Sequence, residues 1–226
     1  MQMQKNATVH TANLSASVRI ANGSLNGLAS LLTIGGLVPL IVMAGSAAAA
    51  GTAPAAYVVG ISLFGGVTIY RFVISTLHSF LSLRKPRPTL RALEEAGTFF
   101  LPAGIYMPFM LSSLSGFWGW LLLGMTLFYA VSGFLLYLTI IGVFRRYAVS
   151  FGYLLFFVLM PFFEPIRQRL GEISFLWLVP AAAMYLLALV FKNRPNSPFA
   201  DSLWQAFVIA GVILQYFAIL VIPAGL

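Results

Sequence analysis

Few residues in this sequence can do chemistry, and those that can gather at the ends of long apolar runs. His78 and Ser79 close one run, Glu94 and Glu95 precede another, and Asp201 and Gln205 open the last. Asp201 and Gln205 are one helical turn apart and share a helix face. Arg71 lies about two turns inside the run that His78 closes. Carboxylate, imidazole and amide groups at one depth are the raw material of an acid–base pair or an oxygen-rich cation site. A serine–histidine nucleophile is not among the options, because adjacent Ser79 and His78 point about 100° apart on a helix. Each group also has a structural reading. Asp201 can cap a helix start, and Glu94 and Glu95 can complement a helix dipole. His78 fits an interfacial histidine, and Arg71 fits either an interior ion pair or a ligand contact. The chain has 0 cysteines, so thiolate ligands and disulfides are ruled out.

The elements that must position these groups are membrane helices. The 226 residues are 60% hydrophobic and only 8% charged, against about 25% charged in soluble domains, so the chain cannot coat a water-facing surface. Its apolar residues fall into runs long enough to cross a bilayer as helices, at about 25–50, 55–81, 96–114, 118–144, 148–163, 175–191 and 203–222. Proline and polar residues punctuate them, as in Arg84-Lys85-Pro86-Arg87-Pro88. Short alternating barrel strands are absent. The reading is an all-α, polytopic, seven-transmembrane-helix bundle (25–226) behind a polar tail (1–24) with a short surface helix near residues 18–20. The small residues at 47–50 resemble a signal cleavage site, but the run is too long and its polar leader too extended for one, so a retained first span is expected.

Charge sets the orientation. With the N-terminus inside, Lys5, Arg19, Arg84, Lys85, Arg87, Arg91, Arg145, Arg146, Lys192 and Arg194 are cytoplasmic, Arg167 and Arg169 are external, and Arg71 lies in the membrane. Ten inside, two outside and one within account for all 13 Lys and Arg, and predict a cytoplasmic N-terminus and an external C-terminus. The net charge of +8 then reflects topology and contact with anionic lipid headgroups, and nucleic acid need not be invoked.

Several stretches in order resemble the hemolysin III family, within the progestin and adipoQ receptor superfamily. They are Ile20-Ala21-Asn22 with Asn26-Gly27, Ser75-Thr76-Leu77, Ala103-Gly104-Ile105-Tyr106-Met107-Pro108-Phe109, Gly116-Phe117-Trp118-Gly119-Trp120, and the run from Pro198 through Val208 followed by Tyr216-Phe217-Ala218. The resemblance covers about Arg19 to Ile222. It implies a seven-helix bundle with a cytoplasm-side zinc centre built from histidines in spans two and seven and an aspartate in span three. In receptor relatives it also implies an amide hydrolase acting on lipids. This chain departs from that pattern. Asp201 and Gln205 stand at the span-seven histidines, Glu94 at the span-three aspartate, and Ser79 at the span-two histidine, with His78 one residue early. Asn26 and Gln215 stand at two further histidine positions, and Arg19 at an acidic one.

With 2 histidines in all, one of them His10 in the tail, a three-histidine zinc site cannot be assembled within one chain. The expectation is a protein with no cofactor and no catalytic residue. A polar network of Arg71, His78, Ser79, Glu94, Asp201, Gln205, Asn22 and Asn26 takes the metal's place, with Arg71 supplying the positive charge. A harder cation held by Glu94, Asp201, His78 and Gln205 is the alternative. The expected role is non-catalytic binding of a membrane lipid or a partner subunit through the bundle, in a bacterial cytoplasmic membrane. A ceramidase-like hydrolase with a remodelled site and a transporter or channel are the competing readings.

Overall fold

A computed structural model of the chain describes residues 2–83, 85–112, 117–139, 172–192 and 199–222. Those residues form helices α1 (Gln2–Ala49), α2 (Ala56–Leu81), α3 (Pro88–Gly97), α4 (Phe100–Ser112), α5 (Phe117–Thr139), α6 (Glu172–Lys192) and α7 (Ala200–Leu220). No strand occurs among the described residues. Five of the helices are long and apolar enough to cross a membrane: α1 from Ala16, α2, α5, α6 and α7.

Two expectations are modified. The polar residues before position 25 are already helical, and α1 runs unbroken from Gln2. Asn22 and Asn26 are buried within it, and the Asn26 Nδ2 donates back to the Asn22 carbonyl at 2.8 Å, giving that N–H a partner without leaving the helix. The third expected span (96–114) is filled by the 13-residue α4, and a separate helix, α3, precedes it and carries Glu94 and Glu95. Pro102 is the cause of the separation: it has no N–H to give to the Thr98 carbonyl, which instead accepts the Leu101 N–H at 3.3 Å, three residues on. The fifth expected span (148–163) lies outside the described residues.

Packing is that of a membrane bundle. Apolar side chains such as Leu31, Val42, Phe128 and Leu176 face outward, as a lipid solvent permits. Small residues let helix backbones approach: a Cβ at Gly60 of α2 would lie 2.8 Å from the Pro108 Cα of α4. The Tyr57 hydroxyl, near the start of α2, donates to the Ile219 carbonyl near the end of α7 at 2.8 Å. That bond fixes α2 and α7 as antiparallel neighbours, so the end of α2 and the start of α7 meet at the opposite end of the bundle.

Candidate functional site: a polar cluster at one end of the bundle

That opposite end holds a polar cavity of about 230 Å³, lined from α1 by Arg19 and Asn22, from α2 by Arg71, His78 and Ser79, and from α7 by Asp201 and Gln205. Short α3 adds Arg91, Glu94 and Glu95, and α6 adds Lys192.

Glu94 is the hub. Its Oε1 accepts from Arg71 Nη1 at 3.1 Å, Ser75 Oγ at 2.6 Å and Gln205 Nε2 at 3.2 Å. Its Oε2 is 2.6 Å from His78 Nδ1, which donates when the carboxylate is ionised. Gln205 also accepts Arg71 Nη2 at 3.1 Å and donates to Ser75 Oγ at 3.1 Å. A guanidinium can only donate, so the amide must face Arg71 with its oxygen. Residues 71, 75 and 78 recur every three or four positions and therefore share the α2 face turned to α3 and α7. Arg71 is 1% exposed and Glu94 12%, so the pair is withdrawn from water. Burial by itself would raise the Glu94 pKa. The His78 hydrogen bond, the Arg71 charge and the Ser75 hydrogen bond outweigh it and hold the carboxyl well below the usual glutamate range.

Glu95, the next residue, serves a second network on another side of α3. It accepts from the Tyr137 hydroxyl of α5 and from Arg91 Nε at 3.0 Å. Lys192 lies near it, with its ammonium 4.6 Å from the centre of the Trp204 ring.

Of the residues expected at the site, Arg71, His78, Glu94 and Gln205 are joined by direct hydrogen bonds. Asn22, Ser79 and Asp201 line the same cavity without joining that cluster; Asp201 is exposed. Asn26 sits one turn from Asn22 and does not line the cavity. Sequence reasoning did not single out Ser75, Tyr137 or Lys192. Ser75 had a signal, its i+4 spacing from Arg71; Tyr137 had none, because its partner lies 42 residues away.

The donor set does not fit zinc. Arg71 places a fixed positive charge within 3.1 Å of the carboxylate that would ligate, and His78 Nδ1 is committed to the same carboxylate. Asp201 stays apart from Glu94, so the four-ligand oxygen site does not assemble either. No group of three His, Cys, Asp or Glu is placed to hold a metal among the described residues.

A chain with no strand among its described residues, several membrane-length apolar helices and a buried polar cluster at one end is a multi-pass membrane protein. The family model of haemolysin-III related proteins matches residues 18–216, and the chain belongs to that family. It is similar to the hemolysin-3 of Bacillus cereus, 26% identical over 201 residues that cover 89% of this chain and 90% of the relative. It is likewise similar to a hemolysin-3 homolog of Bacillus subtilis (strain 168), 27% identical over 204 residues covering 89% and 92%. No solved structure matches. Family and helices together make it a multi-pass protein of the cell membrane.

Proposed function

We propose that this hemolysin III-like protein is non-catalytic and binds a membrane lipid or a partner subunit through its helix bundle. The observation that carries this reading is the saturated Glu94 carboxylate. Four donors, from Arg71, Ser75, His78 and Gln205, occupy it. A general base has to accept a proton from water or substrate, and its pKa has to lie near the working pH. Glu94 is turned the other way on both counts. The test is hydrolysis of a ceramide substrate by the purified protein, with metal content measured on the same sample. Turnover at background, unchanged by Glu94→Gln, is the expected result. Turnover that falls with Glu94→Gln, or stoichiometric zinc, overturns the reading.

The bundle is proposed to have seven spans with the N-terminus in the cytoplasm. Tyr137 brings the end of α5 to the polar end through Glu95, and Lys192 brings the end of α6 there too. Glu172, at the start of α6, is therefore at the far end from Thr139. α1, α2, the α3–α4 pair, α5, α6 and α7 supply six of the seven proposed spans, and the remaining one, at 148–163, lies outside the described residues. The basic residues of the polar end, Arg19, Arg91 and Lys192, support its cytoplasmic placement.

A further inference from the structure

Three helices line both a polar cavity at one end and an apolar groove further along their length. On α1, Asn22, Asn26, Ala29, Thr33 and Gly36 recur every three or four residues and so lie on one face. Asn22 lines the polar cavity, and from Ala29 to Leu40 the helix lines a groove of about 410 Å³. On α7, Gln205 lines the cavity, and Ile209 and Tyr216, further along, line the groove. On α2, Arg71 lines the first and its neighbour Phe72 the second. The rise from Ala29 to Leu40 is about 16 Å. This matches one leaflet of a hydrocarbon core about 30 Å thick.

The charges of the cavity do not cancel. Arg19, Arg71, Arg91 and Lys192 supply four positive charges, and Glu94, Glu95 and Asp201 supply three negative ones, leaving one positive charge with histidine neutral. Arg71 is matched by Glu94 and Arg91 by Glu95. Arg19 and Lys192 have no carboxylate within ion-pair distance among the described residues; Arg19 donates to the Ser82 carbonyl at 2.5 Å and keeps other N–H groups to offer. Between cavity and groove, the fully buried Asn26 Oδ1 accepts no hydrogen bond among the described residues.

We propose that cavity and groove form one site for an anionic phospholipid, with the phosphate drawn to Arg19 and Lys192 and an acyl chain lying along α1 and α7 past Gly35. This deepens the lipid branch of the function proposed above and rests on it. One phosphodiester supplies the single negative charge that the cavity lacks, and the groove at leaflet depth takes a chain covalently joined to it.

Gly35 allows a clean test, because a Cβ there meets nothing within 4 Å, so a larger side chain fills the groove without displacing the fold. The Trp177 ring packs at a tilt against Phe217, 5.1 Å between ring centres, and Phe217 lines the groove, so Trp177 reports on occupancy. The full chain is reconstituted in phosphatidylcholine vesicles containing a small fraction of lipid with brominated acyl chains, either phosphatidylglycerol or phosphatidylcholine, and tryptophan quenching is measured. Stronger quenching by the anionic lipid is expected. Arg19→Gln or Lys192→Gln should each cut that preference by about fivefold, the effect of one basic residue near an anionic surface. Gly35→Leu should remove the specific quenching by both lipids while the unfolding midpoint holds.

Equal quenching by the two lipids, still abolished by Gly35→Leu, overturns the choice of an anionic headgroup and leaves lipid binding standing. Quenching insensitive to Gly35→Leu, including that of a groove covered by a second copy of the chain, overturns the site and the lipid branch together. Loss of the preference on adding inorganic phosphate at constant ionic strength marks a free-phosphate site and overturns the headgroup assignment.

Discussion

Glu94 and Arg71 are worth more as a pair than either is alone. A buried ion pair gains little over well-packed apolar residues, but removing one member leaves an unmatched charge in a poor solvent. Glu94→Gln and Arg71→Met should each destabilise the folded protein by about 3–5 kcal/mol, and the double variant Arg71→Met/Glu94→Leu by less than either. Unfolding in mixed detergent micelles measures all three. The pH dependence has a definite sign. The Glu94 pKa is depressed in the folded protein, so its contribution is fully present above the usual glutamate value of 4.5 and is lost as pH falls through the lower folded value. Stability from this group should therefore be flat between neutral pH and about pH 5 and decline below it. Glu94→Gln should flatten that acid limb; an acid limb unchanged by Glu94→Gln would show that Glu94 does not supply it.

At the scale of elements, the step of about 100° between consecutive residues of α3 turns Glu94 toward α2 and α7 while Glu95 faces α5, and the break after Gly97 lets α3 take its own direction apart from α4. Pro102→Ala supplies the missing N–H, favours one straight helix, and should weaken both acidic networks. The expected signs are a lower unfolding midpoint and a smaller difference between wild type and Glu94→Gln in the altered background. Gly60 sits where α2 and α4 backbones nearly touch, so Gly60→Val should cost about 1–3 kcal/mol by overpacking, read by the same unfolding assay. Much of the site was legible in the sequence because Arg71, His78, Glu94 and Gln205 stand at fixed places relative to the run boundaries. The α3–α4 break was not, because apolar composition continues through Pro102 and periodicity alone does not reveal a lost hydrogen bond. Asp201 illustrates the opposite error: sharing a helix face with Gln205 did not bring it to Glu94, since it sits a turn nearer the open end of the cavity.

For the molecule as a whole, composition, run length and the lack of strand alternation were enough to identify a multi-pass helical membrane protein, since in lipid only helices and closed barrels satisfy the backbone amides. The start of α1 was harder to read, because buried Asn22 and Asn26 look like surface residues until α2 is packed against them. Topology can be tested on a clean background, because the chain has 0 cysteines of its own. A cysteine placed at Thr52 should react with a membrane-impermeant maleimide on intact cells, and one at Leu83 only after permeabilisation; the reverse pattern would invert the proposed orientation. The internal guanidinium has one more consequence. A counter-charge supplied by a dissociable ion stabilises a fold only by mass action, through a term that grows with the ion's free concentration. Arg71 is tethered to the chain, so the positive charge facing Glu94 is present at every protein concentration and cannot be removed by dilution, dialysis or a chelator.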